Sequence, residues 1–123
     1  MSGPRVEQLA PFVRVADVER SIAFYGLFGF TVERTHEQEG WLLWCSMRSG
    51  RSRLMLGLAS GPIHQHEQAI LLYLYADDLE GLHDHLRAAG VAVGEPADGS
   101  PGSDRELRLE DPDGYALLVA QDG

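Results

Sequence analysis

A chain of 123 residues with 44% hydrophobic and 24% charged side chains has the make-up of one soluble globular domain, residues 1–123, with a sizeable core. Its net charge of −9, uninterrupted by any cluster of basic residues, argues against nucleic acid as a partner, because neutralising phosphates takes a basic stripe. No apolar run approaches the roughly 18 residues of a membrane helix. The N-terminal Met-Ser-Gly-Pro-Arg lacks a signal h-region, and the one cysteine, Cys45, rules out an internal disulfide framework and fits a cytoplasmic location.

Leu9 to Val15 alternates as a strand, with Pro11, Val13 and Val15 on one face and Ala10, Phe12 and Arg14 on the other. Asp17 suits a helix N-cap. Val18, Ile22 and Tyr25 then recur at i, i+4, i+7, an apolar stripe that predicts a short helix ended by Gly29. Strands are predicted at about Thr31–Thr35, Trp41–Met47 and Arg53–Leu58, joined by polar connections at Glu37–Gly40 and Ser49–Ser52. In the last of these, Leu54, Leu56 and Leu58 face the helix, while Arg53, Met55 and Gly57 face the other way.

Ala59 to Gln68 reads as a linker. A second strand-and-helix unit follows, with Ile70, Leu72 and Leu74 on one strand face and Leu71, Tyr73 and Tyr75 on the other. Asp78 caps a helix whose stripe is Leu79, Leu82, Leu86 and Ala89, ending at Gly90. A short strand near Val91–Val93, a Gly/Pro/Ser-rich loop from Glu95 to Ser103, and strands at Arg105–Leu109 and Tyr115–Ala120 complete it. Asp111-Pro-Asp-Gly114 has full turn chemistry and reads as structural. Asp17 and Asp78 are offset by 61 residues, as are Gly29 and Gly90. The chain is therefore a tandem repeat of two β-α-β-β-β modules, about 7–60 and 69–121, of the α+β class. Helix-facing positions are aliphatic, and the opposite, mixed face is where function belongs.

The run from Val13 to Tyr25 followed by Gly29-Phe30, the run Ala76-Asp77-Asp78-Leu79-Glu80-Gly81-Leu82 with its later Gly90-Val91, and the late Glu110-Asp-Pro-Asp-Gly114 resemble the vicinal oxygen chelate superfamily. This is the group of glyoxalase I, bleomycin-resistance and fosfomycin-resistance proteins and extradiol dioxygenases. The resemblance covers nearly the whole chain; the stretch from Tyr25 to Phe30 is a residue shorter than usual. It implies paired βαβββ modules forming an open, curled mixed sheet around a cavity, commonly completed by a homodimer.

The resemblance also implies where a metal would sit: seven residues before each capping aspartate, and on the last strand of each module. Those places hold Ala10 and Leu71, and Met55 and Leu118. None supplies an oxygen or imidazole nitrogen suited to a divalent metal, so no metal and no cofactor is expected. The Lewis-acid chemistry of the metal-using members goes with it. What the resemblance then implies is the bleomycin-resistance-like branch, which binds a drug and performs no reaction.

Candidate ligand-binding residues on the inner faces are Phe12, Arg14, Arg53, Met55, Tyr73 and Tyr75, with Trp41 or Trp44, which cannot both point inward on a regular strand. Aromatics stack on planar groups, and a guanidinium forks onto a carboxylate or phosphate. The overall acidity suits a cationic ligand. The primary reading is a cytoplasmic, homodimeric binder of a small, partly aromatic antibiotic or secondary metabolite, with no catalytic residue assigned. A second is a metal-independent or remodelled lyase, isomerase or dioxygenase-like enzyme using Arg14, Tyr73 or Tyr75. A third is an interaction module without a small ligand. His36, His85 and His83 read as surface residues, His64, His66 and Glu67 as a solvated loop, and Cys45 as a small buried hydrophobe.

Overall fold

Two aspartates start the two helices. Asp17 Oδ1 accepts the backbone N–H of Arg20 at 3.1 Å, and Asp78 Oδ1 that of Gly81 at 3.0 Å. Each satisfies a donor that a helix start leaves without an internal partner. The helices they open are α1, Val18–Gly26, and α2, Leu79–Ala88. Both ends are closed in the same way. Gly29 (φ 94°) and Gly90 (φ 86°) adopt the left-handed conformation, and the next residue's N–H reaches back, Phe30 to Tyr25 O at 3.3 Å and Val91 to Leu86 O at 3.0 Å. This satisfies carbonyls at the helix end. The first helix stops at Gly26 rather than running to Gly29, because Gly26 is itself a poor helix former and residues 27–29 form a turn.

The structure is a computed structural model and describes residues 3–98 and 105–122. The chain divides into two units, Met1–Gly61 and Pro62–Gly123. In the first, β1 (Phe12–Val15), β2 (Thr31–Gln38), β3 (Trp41–Ser49) and β4 (Ser52–Leu58) form a sheet in the order β1-β4-β3-β2. In the second, β5 (Leu71–Ala76), β6 (Ala97–Asp98), β7 (Arg105–Glu110) and β8 (Ala116–Gln121) repeat it as β5-β8-β7-β6. The β1–β4 and β5–β8 pairs are parallel, the rest antiparallel. The fold is thus α+β, two βαβββ modules with open mixed sheets, and the repeat extends to register: Arg14 pairs with Gly57 as Tyr75 pairs with Ala120.

Each sheet buries one face against its helix. In the first unit Val13, Val15, Cys45, Met47, Leu54 and Leu56 are all at most 4% exposed, and α1, which packs on β3 and β4, contributes Val18, Ser21, Phe24 and Tyr25. Ile22 is only half-buried; the small Ser21 takes its expected place on the contact stripe. Burial pushes the Cys45 thiol pKa up, as expected of an inert packing residue. In the second unit Leu107, Leu109, Leu117 and Val119 meet Leu79, His83 and Leu86. His83 is therefore buried, not a surface residue: it stands four residues after Leu79 on the same helix face, with Nδ1 3.0 Å from Asp84 Oδ1. His85 is exposed.

The strand expected at Val91–Val93 does not form. Val91 commits its N–H to the helix end, Pro96 has none to offer, and Val93 is a single buried side chain. The ladder starts only at β6, where Ala97 pairs with Glu106. Residues 99–103 of the expected loop, and the side chain of His66, lie outside the described residues. Asp111 Oδ1 accepts the N–H groups of Asp113 and Tyr115, both at 2.9 Å, so this aspartate organises the β7–β8 turn.

Candidate functional site

On the sheet face of the first unit turned away from α1, alternation places Phe12 and Arg14 from β1, Arg53, Met55 and Gly57 from β4, and Trp44 and Ser46 from β3. The register agrees, pairing Phe12 with Met55, Ser46 with Met55, and Trp44 with Gly57. Two irregularities in the β2–β3 pairing then decide what else joins them. Val32 pairs with Met47 but Arg34 with Ser46, leaving Glu33 as an extra residue; His36 pairs with Trp44 but Glu37 with Leu42, leaving Leu43 extra. Such bulges re-aim side chains. The first brings Glu33 and Arg34 together onto the Ser46 face. The second breaks the alternation of β3, so Trp41, paired with Gln38, shares a face with Trp44. Because the strand is not regular here, simple alternation does not decide between the two tryptophans.

These side chains surround a cavity of about 550 Å³ lined by Gln8, Ala10, Glu33, Arg34, Trp44, Ser46, Arg53 and Met55. Its walls are mixed: the Trp44 indole and Met55 thioether are apolar surfaces, and Ser46, only 6% exposed, supplies a hydroxyl. Its charges are organised around one carboxylate. Arg48 Nε donates to Glu33 Oε2 at 2.8 Å, and Arg53 Nε lies 3.3 Å from Glu33 Oε1. Arg53 Nη1 also reaches Gln8 Oε1 at 3.5 Å. The hydrogen bond and charge of Arg48, helped by the charge of Arg53 and opposed by partial burial, hold the Glu33 carboxyl below its usual pKa.

A depressed carboxyl pKa stabilises the folded state above the unfolded value of 4.5, and that contribution is lost as pH falls through the lower folded value. Glu33→Gln is therefore expected to flatten the acid limb of the stability curve below about pH 5. Urea unfolding at pH 3 and pH 7 checks it: the variant's loss of stability between the two is expected to be smaller than that of the unaltered protein.

Of the residues anticipated from sequence, Trp44, Arg53 and Met55 line this cavity. Phe12 and Arg14 share the sheet face beside it. The Phe12 ring lies on Gly57, where a Cβ would come within 2.5 Å of it, and the Arg14 guanidinium stands 5.2 Å from the ring centroid, a cation–π contact. Trp41 is 68% exposed and lies outside the lining. Gln8, Glu33, Arg34 and Ser46 were not anticipated.

Tyr73 and Tyr75 belong to the second unit, on the face of β5 away from α2, with ring centroids 5.3 Å apart. Tyr73 pairs in register with Leu118, and Leu118 with Arg108. The Tyr73 hydroxyl donates to Glu106 Oε2, and Arg108 Nη2 lies 3.9 Å from the other oxygen, a charge contact without a hydrogen bond to that buried oxygen among the described residues. The Tyr73–Glu106 hydrogen bond, followed by burial, pushes the Tyr73 pKa up to about 12.

Among the described residues, no three His, Cys, Asp or Glu side chains are grouped to hold a metal. No helix is long and apolar enough to cross a membrane.

The sequence matches the family model described as Glyoxalase/Bleomycin resistance protein/Dioxygenase superfamily over residues 5–119. Curated proteins contain no match. Solved structures with this fold include a bleomycin-binding protein complexed with bleomycin, 21% identical, with a TM-score of 0.76 over 96% of this chain and 100% of that one. The bleomycin resistance determinant encoded on the transposon Tn5 is also 21% identical, TM-score 0.75, covering 95% and 98%. TnmS3, an antibiotic binding protein from Streptomyces sp. CB03234, is 24% identical, TM-score 0.70, covering 100% and 99%.

Proposed function

Because the chain belongs to the glyoxalase/bleomycin resistance protein/dioxygenase superfamily, we propose that it binds a small, partly aromatic molecule of the antibiotic or secondary-metabolite kind, without a metal and without transforming it. The observation that carries this reading is the cavity of about 550 Å³ faced by Trp44, Met55 and two arginines. Its size and its mixture of apolar wall with a few fixed polar groups are those of a small-molecule site. The bleomycin- and antibiotic-binding relatives point the same way.

The places where metal-using relatives carry ligands do not fit a metal here. Ala10 and Met55 stand in the cavity wall with a methyl group and a thioether, and Leu71 and Leu118 offer only hydrocarbon. A thioether is a soft ligand, unsuited to the hard or borderline ions of this chemistry. Catalysis by Tyr73 is disfavoured on separate grounds, since a phenol held at about 12 is far from the neutral range in which proton transfer is efficient. The exposed apolar side chains Leu71, Tyr73 and Tyr75 of β5 support the homodimer included in this proposal, which sedimentation velocity measures.

Calorimetric titration with bleomycin and with a panel of flat aromatic acids, amides and amines tests binding. Trp44→Ala is expected to weaken any ligand found by about thirtyfold, the scale of a buried aromatic contact, while shifting the melting temperature little, since Trp44 is only half-buried. Stoichiometric metal in the purified protein, or turnover of a bound compound, would overturn the reading.

A further inference from the structure

Although the protein carries a net charge of −9, the cavity of the first unit is a place where positive charge collects. Arg34 and Arg53 both line it, with Glu33 as the only acidic side chain in the wall. Glu33 is already engaged on both oxygens, by Arg48 at 2.8 Å from outside the lining and by Arg53 at 3.3 Å. Two guanidiniums therefore engage one carboxylate, and a third, that of Arg34, lines the same cavity. The surplus is localised: among the described residues the Arg34 side chain forms no hydrogen bond and no ion pair, and that of Arg53 has, besides its Glu33 contact, only the long reach to Gln8 at 3.5 Å. The bulge at Glu33 is what turns the free Arg34 inward beside Ser46. Apolar walls with low polarisability strengthen the field of such a pair.

We propose that the ligand of this cavity is an organic anion, a flat aromatic acid whose carboxylate or equivalent planar oxyanion is held by Arg34 and Arg53 while its ring lies against Trp44. The inference rests on the small-molecule reading of the cavity and names its ligand class. Guanidinium suits this group because its planar donors match two coplanar oxygens. Glu33 has the complementary task. It fixes Arg53 in place, and its own charge is cancelled by Arg48, so it does not repel the incoming anion. An ammonium of the same shape would face the two arginines without a free carboxylate to receive it.

Three probes of one shape separate the possibilities by isothermal titration calorimetry: 2-naphthoate, 2-naphthamide and 2-naphthylmethylammonium. The expected order is naphthoate tighter than naphthamide by at least about tenfold, the ammonium weakest, with naphthoate affinity falling as salt rises. Arg34→Gln is expected to erase most of the naphthoate advantage, weakening naphthoate by about tenfold and naphthamide much less. Because Arg34 is exposed and unbonded, its replacement is not expected to alter the melting temperature. Equal or tighter binding of the amide or ammonium, or an unchanged naphthoate preference in Arg34→Gln, would overturn the anion assignment while leaving the cavity as a ligand site. Failure of all three probes to bind would overturn the cavity reading itself, and the anion assignment with it.

Discussion

Leu56→Ala is expected to destabilise the protein by about 2–5 kcal/mol, a fall in melting temperature on the order of 10 °C for a chain of this size, whereas Met55→Ala, one residue away, is expected to cost far less. The reason is the two-residue period of β4. Leu56 is 0% exposed and pairs with Val13 on one side and Cys45 on the other, so it is the middle of a three-strand apolar layer pressed beneath α1. Removing its isobutyl group leaves a cavity bounded by paired backbone that cannot close in. Met55 points to the other face, half-buried in the wall of the cavity of about 550 Å³, where truncation enlarges a space already open. The two variants are expected to separate stability from binding: Met55→Ala lowers ligand affinity in calorimetry with a near-normal melt, and Leu56→Ala lowers the melt. Similar melting temperatures for both would contradict the face assignment on which the candidate site depends.

That face assignment was legible in the sequence. Strict alternation in Arg53–Leu58 and in Phe12–Val15 distinguished Leu54, Leu56, Val13 and Val15 from Met55, Arg53, Phe12 and Arg14, and the two aspartate-to-glycine spacings of 61 residues revealed the duplication and its helix limits. What could not be read was pairing. A bulge is a property of two strands together, and nothing local in Val32-Glu33-Arg34 or Leu42-Leu43-Trp44 shows that one strand carries an extra residue. So Glu33 and Arg34 went unnoticed as cavity residues, and Trp41 and Trp44 were set on opposite faces by a periodicity that the bulge at Leu43 interrupts. The electrostatic expectation and the proposed anion differ for a related reason. A net charge of −9 suits a cationic ligand, but net charge is a sum over the surface, and the cavity is governed by the few side chains that the Glu33 bulge turns into it.

The turn at the end of β7 carries the second large effect. Gly114→Ala is expected to cost about 3 kcal/mol or more, against about 1–2 kcal/mol for Gly40→Ala, the latter being the usual penalty of a left-handed backbone for a residue with a Cβ. Both glycines have positive φ, 87° and 82°, so the torsional penalty is common to the pair. They differ in surroundings. A Cβ on Gly40 meets nothing within 4 Å, whereas one on Gly114 would overlap the Gln65 carbonyl oxygen and come within 2.8 Å of its Cα and 2.9 Å of its carbonyl carbon. Backbone cannot swing aside as a side-chain tip can. Gln65 is tied to the turn by its own side-chain amide, which donates to the Pro112 carbonyl at 3.4 Å, and Gln68 does the same to that of Asp113 at 3.4 Å. Relieving the overlap therefore means lifting residues 65–68 off the turn and losing those contacts as well. Urea unfolding of the two variants reads the difference directly. Because Gly114 and Gln65 both lie in the second unit, probe binding to the first-unit cavity is expected to persist in Gly114→Ala wherever the protein remains folded, and equal destabilisation by the two substitutions would show that the Gln65 backbone does not rest on this turn.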